Sequence, residues 1–365
     1  MFAAAYLFGG VFIARCLVMA SQTAVFEVCH AVVKPRQTYG YRGIMGDFLE
    51  LKDGSIVMAY TNGDILAVKS TDRGRTWGSP FVLVAAPRPP AKGYYAAPSF
   101  LRLPDGDILL AYFYTTYPTT PYFGHNYLRR SSDEGATWTE PVCYTPYPGY
   151  LPVHNDRLQV LSTGRLLAIA EYKAYLPSSD DHSGYVGMSF FSDDGGCSWQ
   201  ASRNTVDMYG AGIEVQEADA VELRDGRLLM FARTYSGHPV FAYSEDKGET
   251  WGPGILREDI PMAPAAGFPT VRRIPSTGDL LFIWITEDAR DKEDPRIVRR
   301  CALTAAVSSD EGRTLTHFRH IAHDPEDDFG YQCVEFLREG IVLVGYHSRD
   351  GIYVARIGVD WFYGR

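Results

Sequence analysis

A glutamate and a tyrosine raise the first chemical question. Six glycines, Gly54, Gly106, Gly164, Gly226, Gly278 and Gly340, sit in tight turns between apolar alternating runs of the 365-residue sequence. Nine residues before them stand Met45, Ala97, Asn155, Glu217, Pro269 and Tyr331. Equivalent register places Glu217 and Tyr331 on one layer, two units apart. A carboxylate beside a phenol draws its proton and raises its nucleophilicity. The same pair also reads as a buried glutamate hydrogen-bonded to a tyrosine. Arg42 precedes the first of these strands, Arg233 ends the second strand of unit four, and Arg300 begins a later strand of unit five. A lone arginine is most often a surface charge. Three at matching strand ends of an acidic chain point to an anion, because guanidinium forks pair bidentately with carboxylates and stay charged.

Other residues carry weaker chemistry. His154, Asn155, Asp156 and Arg157 cluster on the inner strand of unit three, where His154 is a candidate proton carrier. With no base or metal partner in view, a polar strand start closing contacts between units is the simpler reading. His125 and Asn126 lie on an outer strand and read as structural. Tyr94, Tyr95, Tyr114, Tyr117 and Tyr122 gather around unit two, either as a stacking wall for a ring or as packing between units.

The elements that must position these residues repeat. The pattern S-x-D-x-G-x-x-W occurs at Ser70, Ser131, Ser192 and Ser244, with a fifth copy at Ser308 where Leu315 replaces the Trp. The serines are spaced 61, 61, 52 and 64 residues apart. Within this box the Asp accepts backbone N–H bonds, the Gly supplies a positive φ and the Trp packs between neighbouring sheets. Each unit reads as two strands joined by the glycine turn, a third strand ending in the box, and a fourth strand. Six such units predict an all-β, six-bladed β-propeller with four-stranded antiparallel blades. The sixth unit has its turn but no box. An N-terminal strand near Ala24–Val28 is expected to complete it, because an unclosed ring exposes an edge.

With this architecture in place, the sequence resembles the sialidase superfamily of Asp-box (BNR-repeat) propellers, from about Tyr39 onward. The resemblance rests on the boxes, on Tyr41-Arg42, and on the runs HNDRLQVLSTGRLL from His154, QEADAVELRDGRLLMFART from Gln216, RRIPSTGDLLFIW from Arg272, RRCALTAAVSSDEG from Arg299 and YQCVEFLREGIVLVGYH from Tyr331. It implies a propeller of sialidase type and an exo-acting glycoside hydrolase. Such an enzyme cleaves a terminal anionic sugar with retention, without metal or cofactor. By motif position, Arg42, Arg233 and Arg300 match the arginine triad that holds the substrate carboxylate. Tyr331 matches the nucleophile and Glu217 its activating base. Asp64, in the shortened loop Tyr60-Thr61-Asn62-Gly63-Asp64, takes the place of the general acid, although Asn-Gly-Asp is also ordinary turn chemistry. The family's Tyr-Arg-Ile-Pro signature is altered here to Tyr41-Arg42-Gly43-Ile44-Met45, with Met45 where relatives often carry an acidic residue.

Composition bounds the alternatives. Lys+Arg 35 against Asp+Glu 44 gives a net charge of −9, which argues against a nucleic-acid partner. The six cysteines form no C-x-x-C and no short Cys/His cluster, so neither a zinc site nor a disulfide scaffold is expected. No run is long enough to span a membrane. Residues 1–20 contain an apolar stretch that reads as a signal peptide or as an N-terminal extension; residues 21–365 read as one propeller. The chain is expected to act as a monomer on a small molecule or glycan bearing a carboxylate. Compartment stays open: secreted if the first segment is a signal peptide, otherwise cytoplasmic. Two other function classes remain, since fold does not fix function. One is non-hydrolytic chemistry in the same funnel, as a uronate lyase or a natural-product cyclase. The other is a glycan-binding propeller without catalysis.

Overall fold

The structure is a computed structural model that describes residues 25–42, 45–87, 93–116, 123–173, 184–264 and 267–365. The apolar segment 1–20 lies outside the described residues, as do Tyr117 and Tyr122.

Each glycine turn forms as its sequence requires. All six turn glycines have positive φ, from 71° at Gly340 to 95° at Gly106, a region that favours glycine. Each turn joins an inner strand to the next one out, and the product is six four-stranded antiparallel sheets. Five are consecutive in sequence: Met45–Val84, Tyr94–Cys143, Val153–Ala201, Gln216–Leu256 and Thr270–His323, here blades 1 to 5. Blade 6 runs from Gly330 to Gly358 and takes its outermost strand from the other end of the chain. That closing strand, Phe26–Val33, pairs antiparallel with Gly351–Gly358, a little later than the Ala24–Val28 expected from sequence. The inner strands of blades 1, 2, 3 and 6 touch around the axis, and those of blades 4 and 5 complete the ring.

Six apolar clusters hold the ring, one at each interface between blades. Trp251 of blade 4, for instance, packs with Leu167 and Phe191 of blade 3 and donates its indole N–H to Ser189 Oγ at 2.9 Å. Leu315 takes that place between blades 4 and 5. Between blades 5 and 6 no box residue is available, and the C-terminal helical turn Val359–Tyr363 fills the gap with Phe362, 1% exposed.

The polar half of the box is the same in all five copies. In the fifth, Ser308 Oγ donates to Asp310 at 2.8 Å and accepts the Gly312 N–H at 2.8 Å, while Asp310 accepts the Thr314 N–H at 2.9 Å. The Trp-to-Leu change therefore leaves the turn intact. The box has a structural role, as its turn chemistry indicates. The described cysteines, Cys29, Cys143, Cys197, Cys301 and Cys333, are all free.

Candidate active site

The inner strands share one irregularity that builds the site. A register shift interrupts pairing between Met45 and Phe48, Ala96 and Ser99, Val153 and Leu158, Gln216 and Asp219, and Gly330 and Cys333. In four of these bulges a non-glycine residue adopts left-handed backbone: Ala97 (φ 51°), Asp156 (55°), Glu217 (45°) and Tyr331 (47°). Such a conformation costs about 1–3 kcal/mol and persists where the surroundings over-determine it. The layer inferred from the turn glycines is thus a ring of bulges. Blade 3 departs by one residue, since its left-handed position is Asp156 rather than Asn155. Blade 5 has Pro269 at this level, and pairing there begins at Thr270.

At the bulges of blades 4 and 6, Tyr331 Oη donates to Glu217 Oε1 at 2.7 Å. Glu217 Oε2 accepts Arg233 Nη1 at 2.6 Å, and Arg233 Nη2 donates to Tyr235 Oη at 2.9 Å. The backbone N–H of Glu217, freed from the ladder by the bulge, donates to Glu171 Oε2 at 2.9 Å. Glu217 is 4% exposed and Arg233 6%. Burial opposes ionisation of Glu217, but Arg233, His154 and Arg300 outweigh it and hold its carboxyl at about 2. Tyr331 is pushed the other way, by burial first and then by the Glu217 carboxylate. At neutral pH a neutral phenol therefore donates to an anionic glutamate.

The three sequence-predicted arginines meet around this phenol. The Arg300 guanidinium lies 5.4 Å from the centroid of the Tyr331 ring, and the charges of Arg42, Arg233 and Arg300 all act on one another. Burial lowers the Arg300 pKa, with the Arg42 and Arg233 charges adding to the effect. Arginine does not lose its proton under such pressure, so all three stay charged in the cluster. Asp328, which the sequence reading missed, organises it. Its carboxylate accepts Nε and Nη2 of Arg42, both at 2.9 Å, together with the backbone N–H of Gly40 and of Arg300. Asp328 lies three residues before Tyr331, just outside the strand register that singled out the tyrosine.

A cavity of about 400 Å³ opens over this group, walled by Tyr94, Tyr95, Phe113, Tyr150 and His154, with Arg42 and Tyr331 at its base. Two larger hollows, of about 580 and 470 Å³, are lined mainly by residues nearer the glycine turns and include neither Tyr331 nor Arg42; of the Tyr331–Glu217–Arg233 chain, Tyr331 lines the 400 Å³ cavity. Of the tyrosines noted around blade 2, Tyr94 and Tyr95 line the cavity, whereas Tyr114 packs edge-on against Tyr95 and Tyr127. His154 parts company with its sequence neighbours. Its Nε2 lies 3.3 Å from Glu171 Oε1 and its ring 6.3 Å from that of Tyr331. Asn155 donates to the Gly46 and Tyr331 carbonyls, Asp156 accepts the Val334 N–H, and fully buried Arg157 donates to the Ala218 and Pro269 carbonyls. These three stitch blades together, as does Asn126 of blade 2, which donates to the Leu151 carbonyl and accepts the Val153 N–H of blade 3, while His125 bonds to the Thr145 carbonyl just after its own blade. Asn62 and Gly63 line the cavity rim; Asp64 beside them accepts the Ala86 N–H at 2.6 Å.

A profile of the BNR repeat-like domain matches residues 61–344. The chain belongs to that family. It is a sialidase-like member: a sialidase of Micromonospora viridifaciens is 29% identical across 87% of this chain and 50% of that protein. The chain thus spans about half the length of the curated relative it matches. Among solved structures, the Hadza microbial sialidase superposes with a TM-score of 0.67 at 19% identity, over 90% of this chain and 66% of that one. The intramolecular trans-sialidase of Ruminococcus gnavus, in complex with oseltamivir carboxylate, superposes at 0.64 with 15% identity, over 91% and 97%. At these identities the superpositions establish the shared fold.

Proposed function

We propose that this BNR-repeat propeller is an exo-glycosidase that removes a terminal anionic sugar with retention, using Tyr331 as nucleophile. The observation that carries the reading is the Tyr331–Glu217–Arg233 chain: Tyr331 and Glu217 sit in strained left-handed backbone, Tyr331 lines the cavity, and Glu217 and Arg233 are buried behind it. A phenol suits an anionic sugar because a carboxylate nucleophile would meet like charge. In the first step the Tyr331 oxygen bonds the anomeric carbon, its proton passes to Glu217, and the bond to the leaving oxygen breaks as that oxygen is protonated. In the second step water displaces the tyrosyl oxygen, so two inversions give retention.

Binding and activation are coupled in this arrangement. Arg233 holds Glu217 ionised, which makes it a weak base in the free protein. A substrate carboxylate reaching Arg42, Arg233 and Arg300 shares their charge, raises the basicity of Glu217 and brings its proton affinity closer to that of the phenol. Asp64 is the candidate acid for the leaving group from its place beside the rim, provided its carboxylate exchanges the Ala86 N–H for substrate. A fluorogenic sialoside tests the reading, with Tyr331→Phe as control. Turnover by the wild type and its loss in the folded variant are expected; a folded wild type without turnover, or an active variant, overturns it.

One observation favours a second reading. His154 lines the same cavity with the Glu171 carboxylate 3.3 Å behind its Nε2, an arrangement suited to taking a proton from carbon beside a uronate carboxylate. That lyase chemistry would give an unsaturated sugar with ultraviolet absorbance, which hydrolysis of a sialoside does not produce.

A further inference from the structure

We propose a transition-metal site at the cavity end of blade 5, formed by Glu287, Cys301 and His323 with His320 as fourth ligand, and suited to Zn²⁺. It is separate from the glycosidase chemistry and does not depend on it. The Cys301 sulfur, a His323 ring nitrogen and a Glu287 carboxylate oxygen all lie within 4.8 Å of one another. The two Glu287 oxygens face the two histidines, with Oε1 3.8 Å from His320 Nε2 and Oε2 3.6 Å from His323 Nε2.

Strand irregularities bring these residues to one place. Histidines three apart on a regular strand point to opposite faces, because side chains alternate. Here Leu303 pairs with Ala322 but Thr304 with His320, so Ile321 is an extra residue and both histidines emerge on the same side, their rings 4.9 Å apart. Register shifts on both sides of Glu287 turn that strand as well, and Glu287 and His323 both pair with Ala302, next to Cys301. Distance along the chain therefore concealed a group that the sequence reading, which expected no zinc site, passed over.

The surroundings resemble those of a ligand set. His320 Nδ1 is hydrogen-bonded to Thr304 Oγ1 at 2.9 Å, and Thr304 to Thr286 Oγ1 at 2.6 Å, which fixes the ring with Nε2 toward Glu287. Partners of this kind commonly orient metal-binding histidines. Cys301 is 3% exposed, so its sulfur is held within the strand layer while Glu287 and His323 face solvent. The donor set of sulfur, imidazole nitrogen and one carboxylate oxygen disfavours Ca²⁺ and Mg²⁺, which take oxygen ligands, and suits Zn²⁺. Tetrahedral ligands at zinc distances stand roughly 3.5 Å apart. Ion binding would require rotation of the solvent-facing Glu287 and His323 side chains to close the difference. Cys301 directly follows Arg300, and its carbonyl accepts the N–H of Asp324, which opens the loop to Asp328. A bound ion would staple the strand ends that carry Arg300 to the Tyr331 ring and Asp328 to Arg42.

The test uses untagged full chain stripped with a chelator and titrated with Co²⁺, followed by Zn²⁺ displacement. A stoichiometric, intense tetrahedral spectrum with a thiolate-to-cobalt charge-transfer band is expected, together with a Zn²⁺-dependent rise in melting temperature. Cys301→Ser removes the charge-transfer band. His323→Ala and Glu287→Gln, both at solvent-facing positions, weaken binding at least tenfold and keep the test decisive should Cys301→Ser fail to fold. Thr304→Val weakens binding about 10- to 100-fold through loss of the histidine's partner. A weak octahedral spectrum without the thiolate band, or equal affinity in wild type and in both surface variants, overturns the proposal.

Discussion

Removing the Arg233 guanidinium is the sharpest probe of the candidate site's electrostatics. Arg233 and Glu217 are 2.6 Å apart, and their side chains are 8% and 6% exposed, so solvent cannot replace the lost partner. Breaking a buried pair by deleting one member costs about 3–5 kcal/mol, and Arg233→Ala is expected to lose that much at pH 7. The pH dependence identifies the cause. In the wild type, Glu217 is held at about 2 against an ordinary 4.5, so its contribution is fully present above the unfolded value and is lost only as pH falls through the folded one. Without Arg233 only His154 and Arg300 oppose burial, so the folded value is expected to rise past the unfolded one, and the carboxyl then destabilises the fold increasingly as pH rises. Urea unfolding at pH 7 and pH 5 should therefore show the variant's deficit narrowing at the lower pH. Adding Glu217→Gln should recover a large part of the loss at pH 7. A deficit below about 1 kcal/mol, or one unchanged between the two pH values and not relieved by Glu217→Gln, would refute the reasoning.

Further outcomes follow from the same geometry. Tyr331→Phe should lower kcat by about 10³-fold or more while the melt of the propeller stays cooperative, as measured with the fluorogenic sialoside. Asp328→Asn should weaken Arg42 placement and raise KM about 10- to 100-fold for an anionic substrate, with less effect on kcat, in line with charged hydrogen bonds of about 1.5–3 kcal/mol. Ser308→Ala should cost about 1–2 kcal/mol in urea unfolding, because the hydroxyl serves both Asp310 and the Gly312 N–H. Glu335 is pushed up to about 8 by burial and then by Asp156 and Glu50, so stability should fall as pH rises from 5 to 8; Glu335→Gln should flatten that slope in thermal melts.

The repeat architecture was open to sequence reading because each glycine turn and each Ser-Asp-Gly box is a local device, complete within about ten residues. Aligning those turns was enough to bring Glu217 and Tyr331 to one level, although the interval between them spans two blades. What the alignment lacked was the bulge. It displaces the blade 3 position from Asn155 to Asp156, and it depends on backbone pairing that no single residue announces. Asp328 escaped notice because it acts from a loop, with no periodicity to mark it. Glu171 was missed because its partners, His154 and the Glu217 N–H, belong to strands far along the chain. The hydrogen bond from the Ala86 N–H to Asp64 is likewise a tertiary contact, invisible in the Asn-Gly-Asp turn itself.

The strand Phe26–Val33 has a consequence for how the ring is made and kept. It joins residues more than three hundred positions away, so the circle cannot shut until both ends of this sequence have emerged, and this pairing carries the largest loop-closure cost in the structure. Loss of that strand would bare the backbone of Gly351–Gly358 along its length. Such an edge accepts any strand of matching register, and the nearest match is the same segment of a neighbouring copy. Truncation that removes the clasping strand would then leave two identical bared edges to pair with one another, giving edge-to-edge dimers of rings.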